Sequence, residues 1–199
     1  GGRCAGLWDD AQVAGPARIA RFVKAPGAVP GIQPAHTGRK GSETEPWRGR
    51  VQLGADHPDG WQVRGPSAIP YGGARHHPVH ALTIEEIAGL HRAHAEAARR
   101  AAEAGFEWLE LHFAHGYLGA SFFSPLANRR DDAYGGSLEN RLRYHLGTID
   151  AVRATWPERF PLTMRLGVDD LHPDGIRFED ALWAIGRMKA HGLDLADLS

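Results

Sequence analysis

The sequence predicts an α/β fold built from parallel β-α units, and three observations support this. Four short apolar runs of strand length alternate along the chain with segments of helical periodicity. The turns from a helix into the next strand are brief, whereas the loops that follow the strands are long. Long loops at the carboxyl ends of parallel strands are where a (β/α)8 barrel, or any open α/β sheet, builds its site. Four strands make at most half of such a barrel.

The first two helices have recognisable starts. One lies within residues 10–24, and we expect it to begin at Pro16, because proline is favourable at the first helical position. The clearest helix follows Thr83, which has the spacing of a capping box with Glu86. Its apolar residues recur at helical spacing until Gly105, a suitable C-terminal cap.

The other two helices and the strands complete the pattern. A third helix begins after Ser137 and ends before Pro157, and a fourth carries an apolar stripe that stops at Gly192. The long loops are expected over residues 37–82 and 117–136. The predicted strands are residues 29–33, 108–112, 162–167 and 193–198.

The composition excludes several classes of function. The 199 residues carry 23 basic and 24 acidic side chains, a formal net charge of −1, so the basic surface of a nucleic-acid-binding domain is missing. No polybasic membrane contact is expected, and no run approaches the roughly 20 apolar residues of a membrane-spanning helix. The single cysteine, Cys4, cannot form an internal disulfide and fits a cytoplasmic location. The start at Gly1, with no signal peptide and no initiating Met, predicts a fragment or a processed product.

The segment from Trp108 to Tyr117 carries most of the chemistry. Strand alternation places Glu110 and His112 on the same face as Trp108, with two leucines and a phenylalanine on the other. If the apolar face meets the helices, Glu110 and His112 point into the barrel, and His115 and Tyr117 follow on the loop above. Imidazole and phenol groups at the carboxyl end of a strand can donate hydrogen bonds to a bound carbonyl or supply a proton.

Two other interpretations of these residues stay open on spacing alone. His112 and His115 could be a zinc pair in a metal-dependent barrel hydrolase, although no His-Glu-x-x-His motif or obvious third ligand accompanies them. Alternatively, His112 is a hydrogen-bonded interior histidine and Tyr117 a packing residue.

Several motifs, in the right order along nearly the whole chain, resemble the Old Yellow Enzyme family of flavin oxidoreductases. The most specific are HFAHGYL from His112 and FSPLANRRDDAYGGSLENR from Phe123. GIQPAHTGRK from Gly31 is similar to the family's third-strand motif, while MR from Met164 and GLDL from Gly192 match its fifth and sixth strands. Within the family, the sequence looks like the bacterial branch of xenobiotic reductases and YqjM-like ene-reductases.

This resemblance implies one domain over residues 1–199, a partial (β/α)8 TIM barrel with about strands three to six and without the first two and last two. It implies an FMN-dependent NAD(P)H oxidoreductase that reduces activated alkenes (enones) or related electrophilic xenobiotics by hydride transfer from flavin N5. The partner is then a small molecule with an electron-withdrawing group. The choice between NADH and NADPH as the reductant stays open, and so does whether the whole protein is a homo-oligomer. The alternative is a truncated, non-catalytic remnant that cannot hold FMN.

The resemblance also assigns roles to five residues. Gln33 matches the glutamine that hydrogen-bonds the flavin pyrimidine ring. Arg165 matches the arginine near flavin N1 and O2, where a permanent cation would stabilise the negative charge gained on reduction. His112 and His115 match the pair that binds the substrate's carbonyl or other electron-withdrawing oxygen, and Tyr117 matches the residue proposed to protonate the substrate carbon. No metal ligand is among them.

The remaining polar residues receive structural roles. Pro34 stands where the family usually has an aliphatic residue, and we expect it to alter the strand end that aims Gln33. Arg165 is a candidate ion-pair partner of Glu110, since both face inward on neighbouring strands, and Arg141 is expected to hold its loop by ion pairing. Residues expected to brace the loop after the third strand are His36, Arg39 and Lys40. Histidines expected on loops or helix surfaces are His76, His77, His80, His91 and His94.

Overall fold

The computed structural model describes residues 5–72 and 77–199 of the chain. Cys4 and His76, on which two of the expectations above fall, lie outside the described residues. The strands of the described part are β1 Gly31–Ile32, β2 Arg64–Gly65, β3 His80–Ala81, β4 Trp108–Phe113, β5 Leu162–Leu166 and β6 Leu195–Leu198. The main sheet is parallel throughout, in the order β1-β4-β5-β6. The expectation of a partial (β/α)8 barrel is confirmed.

The four predicted helices are present. They are α1 Ala14–Lys24, α2 Ile84–Glu103, α4 Leu138–Arg153 and α5 Phe178–Ala190. The predicted capping box forms at α2: the Thr83 hydroxyl accepts from the Glu86 N–H, and the Glu86 carboxylate accepts from the Thr83 N–H. The Ser137 hydroxyl caps α4 in the same way by accepting from the Asn140 N–H.

Three features differ from the sequence-based expectation. Helix α1 begins at Ala14 rather than Pro16, because a 3-10 turn capped by Asp9 runs directly into it. A short helix, α3 Leu118–Phe123, lies within the predicted 117–136 loop. Strands β2 and β3 form a two-residue parallel ladder within the predicted 37–82 loop. Elements this short carry too few residues for a periodic signal.

The core lies between the helices and one face of the sheet. Leu109, Leu111 and Phe113 of β4 are almost completely buried in it, as the alternation predicted. Met164 and Leu166 of β5 extend the same apolar layer. The opposite face of β4 therefore presents its polar side chains away from the helices.

A buried histidine cluster lies between α2 and α4 and consists of His91, His94, Tyr144, His145 and Thr148. His145 is fully buried with its ring edge-on to Phe113, and His94 is 7% exposed. The expectation that His91 and His94 lie on a helix surface is wrong for His94, and His91 is only partly exposed. Gly147 creates the room, because a Cβ at that position would lie 2.9 Å from His91 Nε2.

We expect the 199-residue chain, produced by itself, to aggregate or to assemble with further copies. Its sheet has edges at β1 and β6, and Ile19 and Phe22 of α1 are 57% and 79% exposed. Unpaired strand edges and exposed large apolar side chains both promote association. Size-exclusion chromatography with light scattering will show this. A monomer with a sharp unfolding transition that does not depend on concentration would contradict it.

Within the described part of the chain, no helix combines the length and the apolarity needed to cross a lipid bilayer.

Candidate flavin and substrate site

The polar face of β4 carries the first part of the site. Glu110 and His112 follow one another on this face, and His112 is 8% exposed. Parallel pairing with β5 places His112 directly beside Arg165 and Glu110 beside Thr163. His112 is therefore the polar residue of β4 that lies closest to the carboxyl end of the strand, where barrel sites are built.

A tight turn after β4 folds the chain back over His112. His115 and Gly116 have left-handed φ angles of 58° and 68°, and the Tyr117 N–H donates to the Ala114 carbonyl at 3.1 Å. A left-handed conformation is strained for a residue with a Cβ. Lys40 supports it, since its Nζ donates to the His115 carbonyl at 2.6 Å.

The turn brings three rings together. The His112 ring centroid lies 5.0 Å from that of His115, at an interplanar angle of 84°. It lies equally 5.0 Å from the Tyr117 ring, at 69°. The predicted convergence of two imidazoles and a phenol at one strand end is present in the structure, and it leaves three polar ring groups within one small region.

The surroundings of His112 disfavour its charged form. Burial lowers the pKa of His112, and the neighbouring His115 and Arg165 lower it further. Its Nδ1 faces the Ala114 N–H at a long 3.5 Å, which favours the tautomer with the proton on Nε2. A neutral imidazole of this kind can donate one hydrogen bond without carrying a charge.

Arg165 has a different partner from the one expected. Its Nε lies 3.6 Å from Asp197 Oδ2, the residue beside it on β6, whereas Glu110 is paired with Gln33. The hypothesis of a Glu110–Arg165 ion pair is therefore wrong, because the register sets Arg165 beside His112 and two residues beyond Glu110. Arg165 Nε is buried and has no hydrogen-bond partner in the described structure.

Gln33 lies just beyond β1 and opposite Glu110. The β1–β4 register pairs Ile32 with Leu109, and the Gln33 amide nitrogen donates to Glu110 Oε1. Pro34 ends the regular strand but not the pairing, since the His112 N–H donates to its carbonyl at 3.0 Å. Proline has no N–H to donate, but its carbonyl can still accept a hydrogen bond. Contact between the two strands therefore continues past Pro34.

The bracing roles predicted for His36 and Arg39 in the loop after β1 are confirmed. His36 Nδ1 accepts from the Gly38 N–H at 3.0 Å, and Arg39 Nη1 donates to the Ile69 carbonyl at 3.2 Å. Burial lowers the pKa of His36 to about 4, so this ring stays an acceptor. The turn packs closely on α3, where a Cβ on Gly38 would lie 3.0 Å from the Leu118 Cα.

Arg141 holds its loop by a different interaction from the one expected. Its Nε donates to the Phe123 carbonyl at 2.8 Å, and its Nη1 donates to the Gly136 carbonyl. These are hydrogen bonds to backbone carbonyls and not the predicted ion pairs. A guanidinium has donors in several directions and can satisfy two carbonyls of one loop at once.

Sequence reasoning missed three residues that contribute to the site. Asp197 flanks Arg165, Ser199 Oγ lies 2.7 Å from His115 Nε2, and Lys40 Nζ lies 6.0 Å from the Tyr117 ring centroid. Asp197 lies on β6 and Ser199 follows the strand directly, two residues further on, and strand alternation was the available signal. Lys40 was assigned to its loop alone, because nothing local shows that it reaches the next turn.

A cavity of about 350 Å³ opens beside His115. Its polar wall includes Ser124, whose hydroxyl donates to Asp170 Oδ2 at 2.6 Å, and Asp170 also accepts from the Ile176 N–H. Its position next to the ring cluster makes it a candidate space for part of a small molecule. Among residues 5–72 and 77–199, no three His, Cys, Asp or Glu side chains are grouped as metal ligands.

A known protein family matches nearly the whole chain. The model of the NADH:flavin oxidoreductase / NADH oxidase family matches residues 3–199. The chain belongs to this family. This family comprises FMN-dependent NAD(P)H oxidoreductases and includes the Old Yellow Enzymes. The resemblance noted in the sequence is therefore confirmed.

Curated relatives in this oxidoreductase family align with almost the whole chain. An NADPH dehydrogenase of Geobacillus sp. (strain WCH70) is 43% identical over 194 residues, which are 98% of this chain and 52% of that protein. An NADH:flavin oxidoreductase of Gibberella zeae is 37% identical over 206 residues, 98% of this chain and 50% of its own length. The chain thus spans about half the length of the curated relatives it matches.

Solved structures of the family agree in fold. Morphinone reductase in complex with tetrahydroNAD superposes with a TM-score of 0.82 at 30% identity, over 97% of this chain and 55% of that one. The Old Yellow Enzyme homologue from Zymomonas mobilis gives a TM-score of 0.79 at 26% identity, over 97% and 54%.

Proposed function

We propose that the whole protein is an FMN-dependent NAD(P)H ene-reductase that reduces enones or related electrophilic small molecules in the cytoplasm. The observation that carries the proposal is the ring cluster of His112, His115 and Tyr117, next to Arg165 on the neighbouring strand. Two imidazoles and a phenol suit a substrate that carries an electron-withdrawing oxygen and takes up a proton.

The residues present fit FMN in their chemistry. Arg165 offers a permanent cation whose Nε is buried without a hydrogen-bond partner in the described structure, and Gln33 offers an amide. The pyrimidine edge of a flavin carries carbonyl oxygens and one N–H, which match guanidinium and amide groups. When bound, FMN supplies the hydride that it takes from NAD(P)H. Gln33 and Arg165 are the residues that would hold its pyrimidine ring.

The ring cluster acts on the substrate. His112 and His115 donate hydrogen bonds to the substrate oxygen and draw electron density away from the alkene, which makes its β-carbon a better hydride acceptor. Tyr117 donates its phenolic proton to the α-carbon as a general acid.

Flavin content and alkene reduction test this function directly. We expect the whole protein to be purified yellow, with flavin absorbance released as FMN on denaturation, and to oxidise NADH or NADPH when cyclohexenone is added. A colourless protein that does not take up added FMN would favour the non-catalytic remnant. Bound stoichiometric zinc without flavin would favour the barrel hydrolase instead.

A further inference from the structure

Glu110 is an inward-facing carboxylate that has no role in the proposed reaction. Its carboxylate lies on the inward face of β4 and accepts a hydrogen bond from the Gln33 amide nitrogen. It is not the partner of Arg165, which pairs with Asp197. A carboxylate that faces the candidate flavin site and contacts a candidate flavin ligand requires an explanation.

The chemistry of this pair fixes the orientation of the Gln33 amide. A carboxylate has only acceptors, so an amide that contacts it must turn its NH2 group toward it. The Gln33 carbonyl Oε1 then points away from Glu110. Register makes the two side chains direct cross-strand neighbours on one face, so the contact is built into the sheet.

We propose that Glu110 is a positioning residue that makes Gln33 present its carbonyl oxygen as a hydrogen-bond acceptor for the flavin. Oxidised isoalloxazine carries a single N–H, at N3 of the pyrimidine ring, so the group selected by a fixed acceptor is N3–H. Without Glu110, the amide would turn freely and offer its NH2 as readily as its oxygen. This inference rests on the proposed function, because it assigns the way in which Gln33 recognises FMN.

A ligand that lacks the N3–H isolates this contact. FMN and N3-methyl-FMN are titrated into the flavin-free whole protein, and the ratio of their dissociation constants is measured by flavin fluorescence. We expect the unmodified protein to prefer FMN about tenfold, the size of one hydrogen bond of ordinary net strength. In Glu110→Gln the ratio should fall to about threefold or less, because only FMN loses a contact.

The variants separate positioning from a structural role. Glu110→Leu repeats the test with no polar group at position 110, and it replaces Glu110→Gln if that variant fails to fold. Gln33→Leu removes the amide itself and should bring the ratio of the two dissociation constants close to its lowest value. Glu107→Gln is the matched control, since Glu107 pairs with Lys24 and not with Gln33. Equal weakening of both flavins in the Glu110 variants, with the ratio unchanged, would overturn the positioning role. Failure of the unmodified protein to bind FMN would overturn the proposed function together with this inference.

Discussion

Replacing Tyr117 with Phe will slow alkene reduction by about 10² to 10⁴-fold in the whole protein and leave flavin reduction by NAD(P)H within about twofold. The substitution removes only the phenolic hydroxyl. The ring can keep its place against His112, where the centroids are 5.0 Å apart. The loss is therefore confined to the step that needs a proton on carbon.

Stopped-flow absorbance separates the two half-reactions. Flavin bleaching by NADPH reports reduction, and recovery of the oxidised spectrum after an enone is added reports alkene turnover. Tyr134→Phe is the matched control, since this tyrosine packs against Phe122 away from the ring cluster and should leave both rates unchanged. Equal losses in both half-reactions of Tyr117→Phe would count against a proton-donor role.

The sheet and its helices were predictable because their signals are local. The Thr83 and Ser137 caps, the glycine stops and the apolar alternation of β4 each act within a few residues. The ring cluster was predictable for the same reason, since His112, His115 and Tyr117 lie within six residues of one another. The roles of these rings come from the family resemblance, because position alone does not identify a substrate.

The contacts between distant segments were not predictable from the sequence. The partner of Arg165 depends on the register between neighbouring strands, which sets it beside His112 and Asp197. Nothing in the sequence of β5 selects this register over one that would place Arg165 nearer to Glu110. The burial of His94 was missed because its helix was predicted from the spacing of its apolar residues, and His94 was assigned to the surface. Histidine is intermediate in burial preference, so only the packing of α2 on α4 decides its environment.

His145 gives the second large effect, an acid sensitivity of the folded state. Both ring nitrogens are buried without a hydrogen-bond partner in the described structure, and burial lowers the pKa of His145 to about 3, with a smaller contribution from His91. An unfolded histidine titrates near pH 6.5. Below that pH the unfolded chain therefore binds a proton that the folded state excludes. The free energy of unfolding decreases as the pH is lowered toward about 3.

The expected size follows from proton linkage. One excluded proton changes the free energy of unfolding by about 1.4 kcal/mol per pH unit across this window. Burial likewise lowers the pKa of His91 to about 4, and its ring contacts Thr148 in the same cluster, so it adds to the slope. His145→Leu should remove its own share, about 1.4 kcal/mol per pH unit between pH 6 and 4, and should leave the share of His91 in place.

Urea unfolding of the whole protein at several pH values between 4 and 8 measures this slope. His145→Leu should also be at least as stable as the unmodified protein at pH 7, because an apolar side chain replaces two unpaired polar atoms in an apolar setting. His57→Leu is the control, because this imidazole is exposed, lies outside the buried cluster and accepts a hydrogen bond from the Asp59 N–H. A slope that is the same in His145→Leu and in the unmodified protein would show that the buried ring takes up its proton without unfolding.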